Sequence, residues 1–369
     1  MNPQSQFCPN LDCSARGQIG QGNVHVHSQK ERRYICRTCG QTFSESKGTA
    51  YYGVKKVETF TIAVKLLAHG CPVQALVAAF EVDERTVADW LRRAGTHCQT
   101  VHEQVIGKSQ LDLEQVQADE IKVHTQRGTV WAASAVRVST RLWLGGVVSV
   151  QRDLKLIRAL VALVVCVALC RPLVWAVDGL SSYVPAIRGS FRSPLPTGRR
   201  GRPHLIPWLN IAIVQVVKRR AGGVLSIERR IVQGCSPVIA DLLHRTQGTR
   251  TINTAYIERL NATFRQCLAC LARRSRALLR TPDTLQPALY LVGTVYNFCT
   301  FHDSLRLPLY IGRAGRQHWV HRTPALAAGL TDHRWSVEEL LSFKIPPPPF
   351  VPPKRRGRPP KRVLMEVAA

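Results

Sequence analysis

Acidic residues are scarce in this chain: 24 Asp and Glu stand against 51 Lys and Arg in 369 residues, a formal net charge of +27. That excess is far beyond what solubility requires and implies a polyanionic partner. Long apolar runs are missing as well. The one stretch resembling a membrane span, Ala159 to Cys170, lies between Arg158 and Arg171 and falls well short of the roughly 20 residues a crossing helix needs. It reads instead as a buried helix feeding the strand that follows Pro172, so no membrane partner is expected. The N-terminus, MNPQSQFCPN, lacks a basic segment followed by an apolar one, so the 12 cysteines read as thiols of a reducing cytosol and not as a secreted disulfide framework. No repeat of solenoid period occurs. What is present is a folded composition, 45% hydrophobic, which excludes a histone-like tail that is basic because it is disordered. The length implies two or three folded units.

Cys8 and Cys13 in CPNLDC are followed by Cys36 and Cys39 in CRTC, trailed by Gly40 and Phe43. Two short cysteine knuckles of this kind bring four thiolates into a tetrahedron around Zn²⁺, and the metal supplies folding energy that some forty residues cannot find in a core. His25 and His27 lie between the knuckles, but four cysteines already complete the shell.

From Val57 to His69 apolar residues recur at helical spacing and stop at Gly70, after which Pro72 opens a second helix. Leu76, Val77, Phe80, Val82, Val87 and Trp90 fall where a helix-turn-helix packs its residues, with Glu81 to Asp83 as the turn and Glu84 to Ala94 as the second helix. Arg85, Thr86, Arg92 and Arg93 then face outward toward DNA. Glu81 replaces the usual turn glycine, which keeps an ordinary helical hairpin open as the alternative.

The third region reads as three strands, VQADEIKVH, VWAASAVRV and WLGGVVSV, then a helix from about Asp153 to Leu169, a strand ending in Asp178, a basic loop, and the strand Ile211 to Lys218. That order is expected of an RNase H-like mixed sheet. A helix beginning near Asn253 carries TAYIERLNATFRQCLACLARR, and TPALAAGLTDHRWSVEELLSF forms one or two further helices. The Pro-rich basic end, from Pro346 onward, cannot bury apolar area and is expected to be flexible. Arg356-Gly357-Arg358-Pro359 there is either a minor-groove hook or a basic tail that clamps phosphates without preference.

With so few carboxylates, those at the ends of elements stand out. Asp119 lies in the first strand, Asp178 ends the fourth, and Glu258 lies on the later helix. In an RNase H-like sheet these positions converge at one edge, where they can hold two Mg²⁺ or Mn²⁺ ions about 3.5 to 4 Å apart for phosphodiester chemistry. Singly each has another explanation: Asp178 as a strand-end cap, Asp119 as an outward residue with Glu120 the important neighbour, Glu258 as solvated helix surface. At about 100° per residue, Arg265 falls about 20° short of two full turns after Glu258, so both share one face and Arg265 can reach a phosphate beside the metal.

The succession of cysteine knuckles, helix pair, ADEI, VDGLSSY and above all INTAYIERLNATFR resembles the DDE-type insertion-sequence transposases, closest to the insertion-sequence-one family, over roughly Phe7 to Phe343. The resemblance implies a multidomain chain: a zinc ribbon (1–50), a helix-turn-helix (51–110), an α/β RNase H-like catalytic core (111–305), a C-terminal helical segment (306–345) and a basic tail (346–369). It further implies that Asp119, Asp178 and Glu258 are the metal-binding acids, that Asn261 and Arg265 serve DNA contact, and that element ends are cleaved and joined to target DNA by a homo-oligomer on the bacterial nucleoid. Two features depart from the family pattern, the wider first cysteine spacing and the basic insertion Ser190 to Pro203. A non-catalytic DNA-binding descendant would use the same modules without the acids. A tyrosine recombinase fails at its own motif, because His302 precedes Arg306 by four positions and not three.

Overall fold

The alternating apolar positions of the central region resolve into a mixed sheet in a computed structural model that describes residues 1–126, 128–195, 198, 201–221, 223–273, 278–279, 281–311 and 316–352. The chain divides into two units: Met1–Gly48 with the segment from Lys344 onward, and Thr49–Phe343. No helix among the described residues is long and apolar enough to cross a membrane.

In the first unit β1 (Val24–Ser28), β2 (Arg33–Cys36) and β3 (Thr42–Ser44) form an antiparallel sheet in that order. Its apolar core is small, a cluster of Val24, Tyr34 and Phe43 with Phe7 also buried, beside a separate cluster of Cys8, Cys13, Ala15 and Cys36. The start of the Pro-rich segment, expected to be flexible, is tied to this unit: Arg16 donates from Nε to the Pro348 carbonyl at 2.8 Å and from a terminal nitrogen to Pro349 at 2.9 Å, and lies over the Phe350 ring. Proline has a backbone acceptor but no N–H donor, so consecutive prolyl carbonyls need donors from elsewhere, and one arginine supplies two. Arg356 and Arg358 lie outside the described residues.

In the second unit α1 (Val57–Ala68) and α2 (Val73–Phe80) precede α3 (Glu84–Val105). Glu81 takes the left-handed conformation (φ 49°) that glycine adopts without strain, and Asp83 then caps α3 by accepting the Arg85 N–H. Helix α3 runs on to pack against α8 (Leu285–Phe298), crossing so closely that a Cβ on Gly95 would collide with the Pro287 backbone.

The six-stranded sheet contains β4 (Gln115–Thr125), β5 (Gly128–Arg137), β6 (Trp143–Ser149), β7 (Leu173–Val177), β10 (Ile211–Ala221) and β11 (Val224–Gln233) in the order β11-β10-β7-β4-β5-β6. Strands β4, β7 and β10 are mutually parallel, whereas the β4-β5, β5-β6 and β10-β11 pairs are antiparallel. Helices α4 (Leu154–Val167) and α5 (Tyr183–Ser190) are the crossover elements on one side; α6 (Ser236–Gln247), α7 (Ala255–Cys267) and α8 pack on the other. Edge strand β6 is covered by α8, where Asn297 exchanges both hydrogen bonds of a strand partner with Trp143 and Gln286 does the same with Gly146 and Val148. A short ribbon, β8 (Arg192–Pro194) and β9 (Leu205–Pro207), leaves the sheet between α5 and β10.

Several elements differ from expectation. The basic loop after Asp178 contains α5, and β11 and α6 form in the stretch between Lys218 and Asn253, to which the sequence reading assigns no element. The helix at Glu258 ends at Cys267, since Leu268 turns extended to begin a 3-10 turn that still buries Leu271. The segment 306–345 is only partly helical: β12 (Leu307–Ile311) pairs antiparallel with β13 (Arg316–Val320) before α9 (Pro324–Ala327) and α10 (Val337–Ser342).

Candidate metal centres and nucleic-acid surface

The four cysteine sulfurs lie within 4.8 Å of one another, with Cys8 to Cys39 at 3.7 Å and Cys13 to Cys36 at 3.8 Å. A tetrahedral ion with bonds of about 2.3 Å to sulfur has sulfur–sulfur edges of about 3.8 Å, so the cluster can bind a metal such as zinc. Burial raises the Cys8 and Cys13 thiols. At Cys36 burial acts in the same sense but is outweighed by the backbone N–H groups of Cys39 and Thr38, which bring that thiol down to about 7.

The second cluster is built by strand register. Gln117 pairs with Ala176 across parallel β4 and β7, so two residues further Asp119 stands level with Asp178, just beyond the end of β7. Carboxylate oxygens of Asp119, Glu120 and Asp178 lie within 4.8 Å of one another. Glu258 does not join that trio. It lines the same cavity of about 1140 Å³, with Asp119, Asp178, Lys218, Arg265 and Arg273, but its carboxylate accepts from Lys218 Nζ at 2.6 Å and Thr254 Oγ1 at 2.7 Å. Of the three acids expected to converge, Asp119 and Asp178 lie together, and the third member of their cluster is Glu120, the neighbour weighed as an alternative to Asp119.

Buried amides fix this arrangement. Gln117 accepts the Tyr256 and Ile257 N–H groups at 3.0 and 3.1 Å while donating to the Asn253 carbonyl, so a strand side chain caps α7 and aims the helix that bears Glu258. Gln215 donates to the Asp178 carbonyl at 3.0 Å. Asn261, expected at the DNA surface, is fully buried and donates to Asp119 Oδ2 at 2.9 Å; it orients a carboxylate and is inaccessible to DNA. It stands three positions after Glu258 on the inner side of α7, a placement the helical period allowed but residue type alone did not reveal.

The charges are balanced by the chain's own cations. Arg152 lies 2.7 Å from Glu120 and 3.0 Å from Asp178 and stacks over Trp131; Tyr183 donates to the other Glu120 oxygen. Burial raises Asp119, and the charges of Asp178 and Glu258 add to it. Burial also raises Glu120 against the pull of Tyr183 and Arg152. Glu258 is held below the usual carboxylate range: burial opposes this, but the Lys218 and Thr254 hydrogen bonds prevail.

On α3, Arg85 and Arg92 are exposed, while Thr86 and Arg93 are half-buried beside a cleft they share with Lys55, Lys56 and Asp89. Asp89 accepts a hydrogen bond from Arg92 and forms a longer ion pair with Arg93 at 3.8 Å, and Arg93 also donates to the Tyr52 carbonyl. Compared with known proteins, the chain matches no protein-family model and no curated protein.

Proposed function

We propose that the chain is a DDE-type DNA transposase that binds double-stranded DNA at element ends, cleaves it and joins the freed 3′-hydroxyl to target DNA. The observation that carries this reading is the convergence of Asp119, inside β4, and Asp178, just beyond the end of parallel β7, with Glu258 across the same cavity, in a site walled by Arg265 and Arg273. The strand order, an antiparallel meander β4-β5-β6 extended on the β4 side by parallel β7 and β10, supports an RNase H-like core. The α2-turn-α3 geometry supports a helix-turn-helix, and the four-cysteine cluster a zinc ribbon.

Asp119, Asp178 and Glu258 are the residues that would hold Mg²⁺ or Mn²⁺. When bound, such ions supply Lewis acidity to the attacking and leaving oxygens of an in-line phosphoryl transfer. Asn261 keeps Asp119 turned into the cavity, and Gln215 holds the backbone of Asp178. Glu120, too buried to be an open ligand, anchors Arg152 beside Asp178. Arg265 and Arg273 offer donors to phosphate oxygens on the cavity wall. Lys218, released from Glu258, would do the same.

The test is incubation of the purified protein with Mg²⁺ and a duplex carrying the sequences that flank its gene. Nicks ending in 3′-hydroxyls, lost in Asp119→Asn, Asp178→Asn and Glu258→Gln with DNA binding retained, are the expected result. Binding without any cleavage by the wild type would leave a non-catalytic DNA-binding protein.

A further inference from the structure

No Asp or Glu occurs between Asp178 and Glu228, a stretch that carries Arg188, Arg192, Arg199, Arg200 and Arg202 before Lys218. Arg199 and Arg200 lie outside the described residues, but the arginines at the base of this excursion share one pattern with Arg230 on β11. Each is pinned through Nε by the protein itself. Arg230 Nε donates to Gln215 Oε1 at 2.9 Å, Arg188 Nε to Gln233 Oε1 at 2.8 Å, and Arg192 Nε to the Arg188 carbonyl at 3.0 Å. The two glutamines are fixed in turn, Gln215 on the Asp178 carbonyl and Gln233 on the Ile211 carbonyl at 2.8 Å. All three arginines are exposed, and their terminal nitrogens have no partner among the described residues. A guanidinium oriented through Nε and open at its terminal fork is prepared for phosphate, because little freedom remains to be lost on binding.

Strand register gives the spacing. Arg230 pairs with Gln215, which is level with Val177, one residue before Asp178; Gln233 pairs with Ile213, level with Trp175. The step from the Arg230 level to the Arg188 level is two residues, about 7 Å. That is about two nucleotide rises along one DNA strand. Arg192 continues the line beside a groove of about 200 Å³ walled by Phe191 and Trp208, whose rings pack edge to face at 5.2 Å.

We propose that Arg230, Arg188 and Arg192 form a phosphate track for a duplex, starting next to Asp178 and running along the α5 side of the sheet toward the ribbon. The proposal rests on the reading that DNA is cut at the carboxylates. It assigns the basic excursion to gripping the strand adjacent to the cut.

The experiment is fluorescence anisotropy of the full-length, zinc-loaded protein on a labelled duplex of arbitrary sequence, titrated over salt in buffer without Mg²⁺ or Mn²⁺. Each phosphate neutralised contributes about −0.9 to the slope of log K against log salt, so the triple variant R188Q/R192Q/R230Q is expected to flatten the slope by about 2 to 3 units. A control triple at the far end of the sheet, K108Q/R171Q/R245Q, is expected to leave it nearly unchanged. An unchanged slope in the track triple, or an equal loss in both triples, overturns the proposal. Should the track triple fail to fold, as read by circular dichroism, R192Q alone carries the test, since its side chain braces only one carbonyl; the expected change is then about 0.9. The slope is read without catalysis, so absence of cleavage by the wild type would remove the transposase reading while leaving the track's result legible.

Discussion

Replacing Arg152 by Met removes the only cation among the described residues that touches both Glu120 and Asp178. The Glu120 side chain is 0% exposed and keeps only the Tyr183 hydroxyl afterwards, whereas Arg152 itself is 33% exposed. Removing one partner of a buried pair costs about 3 to 5 kcal/mol, and the partial exposure of Arg152 places this case at about 2 to 3 kcal/mol. At about 2 to 4 °C per kcal/mol for domains of comparable size, the melting temperature in Mg²⁺-free buffer should fall by about 5 to 10 °C. Divalent cations should reverse the loss. An ion at a hundred times its dissociation constant stabilises by about 2.7 kcal/mol, and the variant, in which Asp178 and Glu120 have lost the Arg152 counter-charge, should gain more from Mg²⁺ than the wild type does. Differential scanning fluorimetry of the zinc-loaded protein, in Mg²⁺-free buffer that leaves the cysteine metal bound and across a Mg²⁺ titration, reads both effects. A variant melting within about 1 °C of wild type without Mg²⁺, or gaining no more from Mg²⁺, would refute the reasoning that Arg152 neutralises a metal-binding cluster.

The remaining predictions concern folding and the N-terminal unit. One Zn²⁺ per chain should be found by native mass spectrometry, and chelation should open residues 1–48 to protease while the Thr49–Phe343 unit stays intact, because the first unit's apolar core is a handful of residues such as Val24, Tyr34 and Phe43; a chelated protein with a protected N-terminus would contradict this. His102 is buried with Nε2 on the Leu144 carbonyl and Nδ1 unpartnered, and burial lowers it from 6.5 to about 4. The neutral ring is the folded form, so stability should decline by up to about 3 kcal/mol as pH falls from 6.5 to 4, and His102→Gln should flatten that decline in urea titrations; parallel pH profiles for both proteins would refute it. Glu81→Gly should raise stability by about 1 kcal/mol by relieving the left-handed turn before α3, read as a higher urea midpoint; a lower midpoint would show that the Glu81 side chain contributes something its backbone strain conceals.

Local signals were the legible ones. Cysteine ligation depends on residue type and short spacing, so the knuckles could be read directly, and Asp119 and Asp178 stood out because carboxylates are rare and these two end or interrupt apolar strands. Ile257, Leu260, Phe264, Leu268 and Leu271 recur at near-helical spacing and are the buried side of their segment, although the helix itself stops at Cys267. What escaped were partners that only the third dimension supplies. Arg152 sits in an irregular turn before α4 with no period to mark it, and Lys218 meets Glu258 only because β10 passes α7. Asn261 looked like a surface residue on a polar helix until the sheet behind α7 showed where its amide goes. Strand β11 has exposed residues on both faces, among them Val224, Leu225, Ile227 and Ile231, so no alternation announced it; pairing with β10 alone orders it.

The central claim is that Asp119, Asp178 and Glu258 together hold divalent ions at a DNA backbone. Anomalous scattering from Mn²⁺ in crystals grown with an end duplex tests it most directly. The account predicts Mn²⁺ peaks within coordination distance of Asp119 and Asp178, Glu258 turned from Lys218 to an ion, and Lys218 on a phosphate. Crystals that contain the duplex but show no peak at these carboxylates, with Arg152 still bridging Glu120 and Asp178 and Lys218 still on Glu258, would contradict it.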